Sequence, residues 1–276
     1  MKQLVHAKSL VTVSDLYLGR TVVDAKSVAN ICDGKLMIVS AGLGLVDGQN
    51  MAPNYQLTVV GGGGSIRPWL LRNKYLPREW WYALNSALGK IAPISSRINK
   101  AVPGDLFLLA LPSTYIELVA DDLSWVQPDK TEHVRVFTST AGAELLPRNL
   151  LESTMPYDDR LEGVSGYAGT RSDFPQRAMR HFVEELQAHE SSASAGSIAV
   201  RKVMADSRVR LVPRRTKLDD SEISKLIADN WGASGGSASR LLRVLRDEHL
   251  VACEQSRFSS LWRQVRDRIK IEEHHD

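Results

Sequence analysis

The sequence predicts an α/β protein with two parts: a three-layer α/β/α sandwich with a central, mainly parallel sheet, then a small helical helix-turn-helix-like module. Three observations support this prediction. Short, nearly continuous apolar runs alternate with amphipathic helical segments over residues 1–190, as in parallel sheets covered by helices on both faces. Small, polar residues at 191–199 are typical of a linker. Residues 200–276 then contain three helical patterns and a glycine turn.

The apolar runs predict four strands in the first part, at Leu36–Ser40, Gln56–Val60, Asp105–Leu111 and His133–Phe137. Helices are expected between and after them, at Trp80–Ile91, Ser113–Ser124 and Asp173–His189. The last of these has the clearest pattern, because its apolar residues recur at helical spacing and Pro175 falls in its first turn.

The C-terminal part predicts a short strand at Val209–Val212 and then three helices. The first ends near Asn230, with Asp219 as its N-cap and Glu222 three residues later, as in a capping box. A glycine turn at 232–236 leads to a second helix at Ser237–His249, and a third follows at Gln255–Lys270. This order is typical of a helix-turn-helix module.

Charge is distributed unevenly between the two parts. Residues 201–276 contain 16 Lys and Arg against 12 Asp and Glu, whereas residues 1–200 have a net charge of −1. A positive C-terminal part favours a polyanion partner, which we expect to be double-stranded DNA. Its second helix carries Arg240, Arg243 and Arg246, which can reach phosphate or guanine. The alternative is an all-helical subdomain with solvated arginines.

The cysteines, the apolar runs and the spacing of the histidines predict the cellular compartment and the need for a cofactor. The two cysteines, Cys32 and Cys253, suit a reducing compartment, and the opening residues do not form a secretory signal. No apolar run reaches the length of a membrane helix, so we expect a cytoplasmic protein with no membrane contact. The histidines lack metal-binding spacing, so neither a metal nor a cofactor is expected. The oligomeric state stays open.

The most informative stretch is the glycine-rich segment from Ser40 to Tyr55, which follows the first predicted strand. Glycines such as Gly42 let a ligand approach the backbone, and α/β proteins bind ligands at the carboxyl edge of the sheet. Asp47 and Asn54 offer a base or a water-orienting amide, and Tyr55 offers a stacking face. The alternative is a tightly packed turn.

Three other segments offer candidate site residues. Ser139 follows the fourth predicted strand and is expected at the same sheet edge. Arg67 lies in a glycine-rich, basic and aromatic loop that can close over a substrate or lie beside DNA; a solvent loop is the alternative.

The third segment combines acids, arginines and a tyrosine near a helix start, which is a natural anion site. Its candidates for base binding or phosphate neutralisation are Tyr157, Asp158, Arg171, Asp173 and Arg177. The alternative is a capping network in which Asp173 bonds the helix amides and Arg171 or Arg177 pairs with acids.

Several of these motifs together resemble a family of bacterial proteins. The motifs are Asp15–Arg20, Met37–Val46, Pro53–Tyr55, Tyr157–Arg160 and Gly169–Arg177, and the resemblance covers about residues 15–185. This family is distantly similar to the uracil-DNA glycosylase superfamily and to a domain of archaeosine-type tRNA-modifying enzymes. It includes members near phage-defence genes.

The resemblance implies an α/β/α fold with one motif after the first strand, at Ser40–Tyr55, and a second after the last, at Thr138–Gly142. The superfamily's usual first motif, Gly-Gln-Asp-Pro-Tyr, is absent, and so is the usual second-motif histidine. Asp47, Asn54 and Tyr55 offer similar residue types in another order.

The function implied is a DNA N-glycosylase, a hydrolase that excises a flipped, modified base from phage DNA in anti-phage defence. Asp47 or Asn54 would hold the water, and Tyr55 or Tyr157 would stack on the base. Arg171 and Arg177 would neutralise phosphate. The alternatives are a non-catalytic DNA-binding regulator with a ligand-sensing α/β domain and a tRNA base-modifying enzyme.

Overall fold

A computed structural model describes residues 10–17, 19–209 and 215–273 of the chain. Helices account for 52% of the structure. The chain divides into two compact units, Met1–Arg210 and Leu211–Asp276. Within the described ranges, no helix combines the length and apolar character needed to cross a bilayer.

The first unit contains short strands and many helices. Its strands are β1 (Leu10–Thr12), β2 (Met37–Ser40), β3 (Gly44–Asp47), β4 (Met51–Pro53), β5 (Phe107–Ala110) and β6 (Val134–Phe137). Its helices are α1 (Val13–Leu16), α2 (Arg20–Ile31), α3 (Arg67–Arg72), α4 (Pro77–Ala87), α5 (Pro93–Ile98), α6 (Ser113–Leu123), α7 (Thr140–Ala143), α8 (Phe174–Glu184) and α9 (Ala193–Asp206). Short 3-10 segments lie at Pro128–His133, Arg148–Leu150, Asp159–Gly163 and Ala188–Glu190.

The predicted three-layer sandwich with a central parallel sheet is wrong. The described strands form three separate two-stranded sheets, β1–β4, β2–β3 and β5–β6, and only β5–β6 is parallel. Strand β2 pairs antiparallel with β3, so the glycine-rich segment after Ser40 is a hairpin turn rather than a loop at the edge of a parallel sheet.

The apolar runs were interpreted as strands of one parallel sheet, but strands β2 and β5 belong to different sheets and do not pair with each other. Both line one cavity of about 820 Å³, and most of their residues are half-buried rather than buried on both faces. The predicted strand at Gln56–Val60 is also wrong, since the described backbone there makes only a single bridge between Thr58 and Ser65.

The predicted helices of the first unit are present, with shifted ends. Helix α4 begins at Pro77 rather than Trp80, and Pro112 rather than Ser113 occupies the N-cap of α6. Helix α8 follows Asp173 as predicted and buries most of its residues. It packs with α2, α9 and β6 around a core that includes Phe137, Phe182 and Met204.

The segment predicted as a linker, 191–199, instead enters helix α9. The Ser192 side chain accepts a hydrogen bond from the Ala195 amide and caps this helix. Val200 and Met204 are fully buried in the core of the first unit. Small residues suit this helix because a Cβ on Gly196 would lie 2.9 Å from the Phe182 ring, so composition alone does not distinguish close packing from a linker.

The second unit contains α10 (Asp220–Asp229), α11 (Ala238–Asp247) and α12 (Gln255–Glu273). The predicted capping box is confirmed, with reciprocal hydrogen bonds of 2.8 and 2.9 Å between Asp219 and Glu222. The core of this unit includes Ile223, Ile227, Leu241, Leu245 and Phe258. The strand predicted at Val209–Val212 falls mostly outside the described residues.

Candidate functional site

The hairpin turn after β2 is organised by the hydroxyl of Ser40. Its Oγ accepts hydrogen bonds from the amides of Gly42 (3.2 Å) and Leu43 (3.0 Å). It also bonds to the hydroxyl of Tyr55 and lies 3.3 Å from that of Tyr17. Ser40 is 1% exposed, so the turn presents a buried hydroxyl to two tyrosines.

Tyr17 and Tyr55 complete this hydroxyl network, since their own hydroxyl oxygens are 2.6 Å apart. Burial raises the pKa of Tyr55, and the hydrogen bond from Ser40 only partly opposes that effect. Tyr55 is therefore protonated at neutral pH and remains a hydrogen-bond donor.

Gly42 is needed for the ring of Tyr55 to lie where it does. A Cβ at Gly42 would lie 2.8 Å from Cε2 and 3.3 Å from Cδ2 of that ring. The predicted base-binding residues Ser40, Gly42 and Tyr55 are thus brought together by the structure.

Tyr115, at the start of α6, belongs to the same group of phenols. Burial raises its pKa, and a hydrogen bond with Thr58 partly opposes that effect. We refer to Tyr17, Ser40, Tyr55 and Tyr115 as the tyrosine cluster.

The tyrosine cluster borders two cavities. Tyr17 and Tyr115 line the cavity of about 820 Å³ between β2 and β5, whose walls are mainly apolar. Tyr17 and Tyr55 line a second cavity of about 190 Å³, which also touches Gly63. The first volume lies within the usual range for small-molecule sites.

Polar groups from α8 reach the larger cavity. Gln176 donates from Nε2 to the carbonyl oxygen of Ala110 (2.8 Å), whereas its buried Oε1 has no hydrogen-bond partner among the described residues. Arg171 and Ser172, just before α8, are exposed and line the same cavity. A ligand there therefore meets the free acceptor of Gln176 and two guanidinium groups, those of Arg97 and Arg171.

Asp47 does not join the cluster. It pairs with Met37, at the other end of the hairpin from Ser40 and Gly44. It lies three residues further along β3 than Gly44, or about 10 Å. Its carboxylate accepts from the Gln49 amide (2.9 Å) and lies 3.5 Å from Lys35 Nζ. It stabilises the far end of the hairpin, so the predicted water-activating role has no geometric support.

Two other predicted residues directly follow a strand or precede a helix. Asn54 is exposed directly before Tyr55, and its side chain has no hydrogen bond among the described residues. Ser139 caps α7, where its hydroxyl accepts from the Gly142 amide at 3.2 Å. It does not line either of the two cavities described above.

Tyr157 is not available to stack on a base. It is 6% exposed, its ring packs against Phe137 and His181, and its hydroxyl lies 2.8 Å from Nδ1 of His181. Burial raises its pKa. Asp158 forms a bidentate pair with Arg160, which lowers the pKa of the Asp158 carboxyl.

The pairing of Arg177 with acids, part of the alternative interpretation of this segment, is confirmed, whereas the Asp173 side chain does not bond the amides of α8. The guanidinium of Arg177 is fully buried and donates to Asp173 (2.7 Å) and Glu162 (2.7 Å). It also donates to the carbonyl oxygens of Tyr167 and Thr170. Because the guanidinium is fully buried and four of its five N–H donors are used inside the protein, Arg177 cannot reach a phosphate.

Arg67 is similarly engaged. Its Nε donates to the carbonyl oxygen of Val59 (2.7 Å), and its Nη2 lies 2.5 Å from Glu117. It therefore fixes the glycine loop to α6 and is not a free cation for DNA.

The arginines of α11 differ in their availability. Arg240 and Arg243 are exposed, and neither has a hydrogen-bond or ion-pair partner within the described ranges. Leu241 and Leu245, on the opposite face, are fully buried. Arg246 donates to the carbonyl oxygen of Cys253 (2.9 Å) and is half-buried. Two of the three predicted DNA contacts thus remain free.

Sequence reasoning missed Tyr17, Tyr115 and Gln176 as site residues. Tyr17 precedes a glycine and a helix, which is a pattern without a distinctive chemical signal. Tyr115 and Gln176 lie in the first turns of α6 and α8, and only the convergence of those helix starts on one cavity makes them relevant.

The described residues contain no cluster of three or more His, Cys, Asp or Glu side chains able to hold a metal ion. Comparison with known family models, curated proteins and solved structures finds no match to this chain.

Proposed function

We propose that the protein is a DNA N-glycosylase, with α11 contacting duplex DNA and the first unit holding an extruded base beside the tyrosine cluster. The observation that carries this proposal is the buried hydroxyl network of Tyr17, Ser40 and Tyr55 at the wall of two cavities. A flipped base needs hydrogen-bond partners for its edge and an aromatic or apolar surface for its face.

The chemistry of base release suits phenol donors. When water attacks C1′ and the N-glycosidic bond breaks, the bonding electron pair passes to the leaving base, which becomes negative until it is protonated. The protonated hydroxyl of Tyr55 is a hydrogen-bond donor that stabilises this charge. Asn54 is the remaining predicted side chain for orienting the water, because the Asp47 carboxylate is engaged elsewhere.

The DNA-binding part of the proposal rests on the free guanidinium groups of Arg240 and Arg243. Such groups on one helix face supply phosphate or guanine contacts, and the opposite face anchors the helix in a core. The net charge of the second unit, residues 211–276, is only +1. DNA contact therefore depends on this face rather than on bulk charge.

The test is to incubate the full chain with unmodified and hypermodified phage DNA, then to apply alkaline cleavage and mass spectrometry for released bases. We expect release from one DNA type, loss of release in Tyr55→Phe, and retained release in Asp47→Asn as the matched control. Retained duplex binding by Tyr55→Phe would separate chemistry from DNA contact.

A second candidate function, a ligand-sensing DNA-binding regulator, is favoured by the composition of the larger cavity. Its walls are mainly apolar, and Asp105 is the one carboxylate among its described lining residues. Tight, salt-sensitive duplex binding with no released base from any DNA would contradict the glycosylase and favour the regulator.

A further inference from the structure

An exposed aromatic pair lies on the first unit outside the two cavities. Trp69 in α3 and Tyr75, just after it, stack with ring centroids 5.8 Å apart and planes 17° from parallel. Their side chains are 47% and 51% exposed. Trp80 contacts Trp69 edge-on at 6.0 Å and is itself half-buried. The exposed ring of Trp69 is therefore positioned by its contact with Trp80, and Tyr75 stacks on Trp69.

Cations accompany these rings. Arg72 and Lys74 are exposed and lie between Trp69 and Tyr75 in the chain, and neither has an acidic partner among the described residues. We refer to Trp69, Arg72, Lys74 and Tyr75 as the aromatic surface. A nearby acid, Glu79, is engaged by the amide of Leu76 at 2.7 Å and caps α4.

The exposed ring faces and the free cations together indicate which kind of ligand the aromatic surface would bind. Aromatic side chains stack on unpaired bases, and arginine and lysine neutralise the phosphates between them, largely irrespective of base sequence. In a duplex the base faces are already stacked, so exposed rings favour an unpaired strand. A purely apolar protein partner would leave Arg72 and Lys74 without a counter-charge.

We propose that the aromatic surface binds single-stranded nucleic acid, with bases stacked on Trp69 and Tyr75 and the backbone beside Arg72 and Lys74. This second nucleic-acid contact is independent of base excision and of α11. It adjoins the candidate site, because Trp80 Nε1 donates to the carbonyl oxygen of Ala41 (2.8 Å), between Ser40 and Gly42.

Fluorescence anisotropy of labelled oligo-dT with the full chain tests this proposal. In Trp69→Ala/Tyr75→Ala we expect affinity to fall at least about 10-fold, given the usual contribution of base stacking. The matched control is Trp125→Ala, which removes a 66% exposed ring elsewhere on the same unit and should leave affinity unchanged.

Three further variants separate binding from folding. Arg72→Glu/Lys74→Glu keeps both rings and should also lose affinity, whereas Arg201→Glu/Lys202→Glu reverses two exposed charges on α9 and should not. Trp69→Phe retains a stacking ring and should stay within about threefold of the unsubstituted protein. Melting temperatures identify any variant that has lost its structure.

Three outcomes would overturn the proposal. In the first, oligo-dT affinity is unaffected by both the ring and the charge variants. In the second, it is lost only in Arg240→Glu/Arg243→Glu, which would assign single-strand binding to α11. In the third, the ring and charge variants lose flotation with phosphatidylcholine/phosphatidylglycerol vesicles but keep oligo-dT binding, which would make this a membrane-contact surface.

Discussion

The hydroxyl groups of Tyr17 and Tyr55 lie 2.6 Å apart, although 38 positions separate these residues in the chain. Tyr17 precedes α2, and Tyr55 follows β4. Their meeting point is Ser40, whose hydroxyl also fixes the hairpin turn between β2 and β3. One oxygen atom therefore links the local geometry of a turn to the placement of two distant phenols.

Gly42→Ala tests this coupling. The added Cβ would lie 2.8 Å from the Tyr55 ring, so the ring or the turn must move. We expect the free energy of unfolding to fall by about 1–3 kcal/mol, measured by urea denaturation, as for other overpacked sites. Gly61→Ala is the matched control, because its Cβ would meet nothing within 4 Å. Equal stability of the two variants would contradict the expectation.

Arg177→Ala tests the buried network at the start of α8. Removing this fully buried guanidinium leaves Asp173 and Glu162 without their cation, so we expect a loss of about 3–5 kcal/mol in the free energy of unfolding. Arg171→Ala, at an exposed position six residues earlier, should change stability little. If Arg177→Ala unfolds at the same denaturant concentration as Arg171→Ala, the network is not stabilising.

The buried imidazole of His181 should make the stability of the protein depend on pH. Burial lowers the pKa of this imidazole below its usual value of 6.5, and the smaller effect of Glu185 acts in the opposite direction. The ring is enclosed by Tyr157 and Tyr167. As pH falls through 6.5, the unfolded chain takes up a proton that the folded protein resists, so the free energy of unfolding must fall.

Denaturant titrations of the unsubstituted protein and His181→Gln, at pH 7 and pH 5, measure this contribution. We expect the substituted protein to lose less stability between the two values, because glutamine cannot take up the proton. An unchanged pH dependence would assign the acid lability to other groups.

The arginines of α11 should separate binding from stability. We expect Arg240→Glu/Arg243→Glu to abolish duplex binding in an anisotropy assay with little change in melting temperature, since both side chains are exposed. Arg246→Ala should instead lower the melting temperature of the second unit, because it removes a hydrogen bond to Cys253. Duplex affinity that is insensitive to the double charge reversal would contradict DNA contact through α11.

Helices were predictable where amphipathic spacing and a capping residue agreed. Asp219 and Glu222 marked the start of α10, and Pro175 placed the first turn of α8. The sheet was not predictable, because an apolar run such as Met37–Val39 looks alike whether it pairs with a parallel neighbour or lines a cavity. Pairing depends on distant residues that local spacing does not report.

The candidate site was predictable only in part, for a related reason. Ser40, Gly42 and Tyr55 were identified because a glycine-rich turn brings neighbours in sequence together. Asp173 and Arg177 have residue types that suit an anion site. However, an acid and an arginine four positions apart at a helix start form an ion pair with each other, which leaves neither side chain for a ligand. Tyr17 carried no local signal.

The second unit has a core of its own, built from residues of α10, α11 and α12 and the segments between them. The packing that orients Arg240 and Arg243 therefore does not draw on the residues that shape the tyrosine cluster. In evolutionary terms, a lineage can change the exposed face of α11 while inheriting the tyrosine cluster intact, and the reverse holds equally.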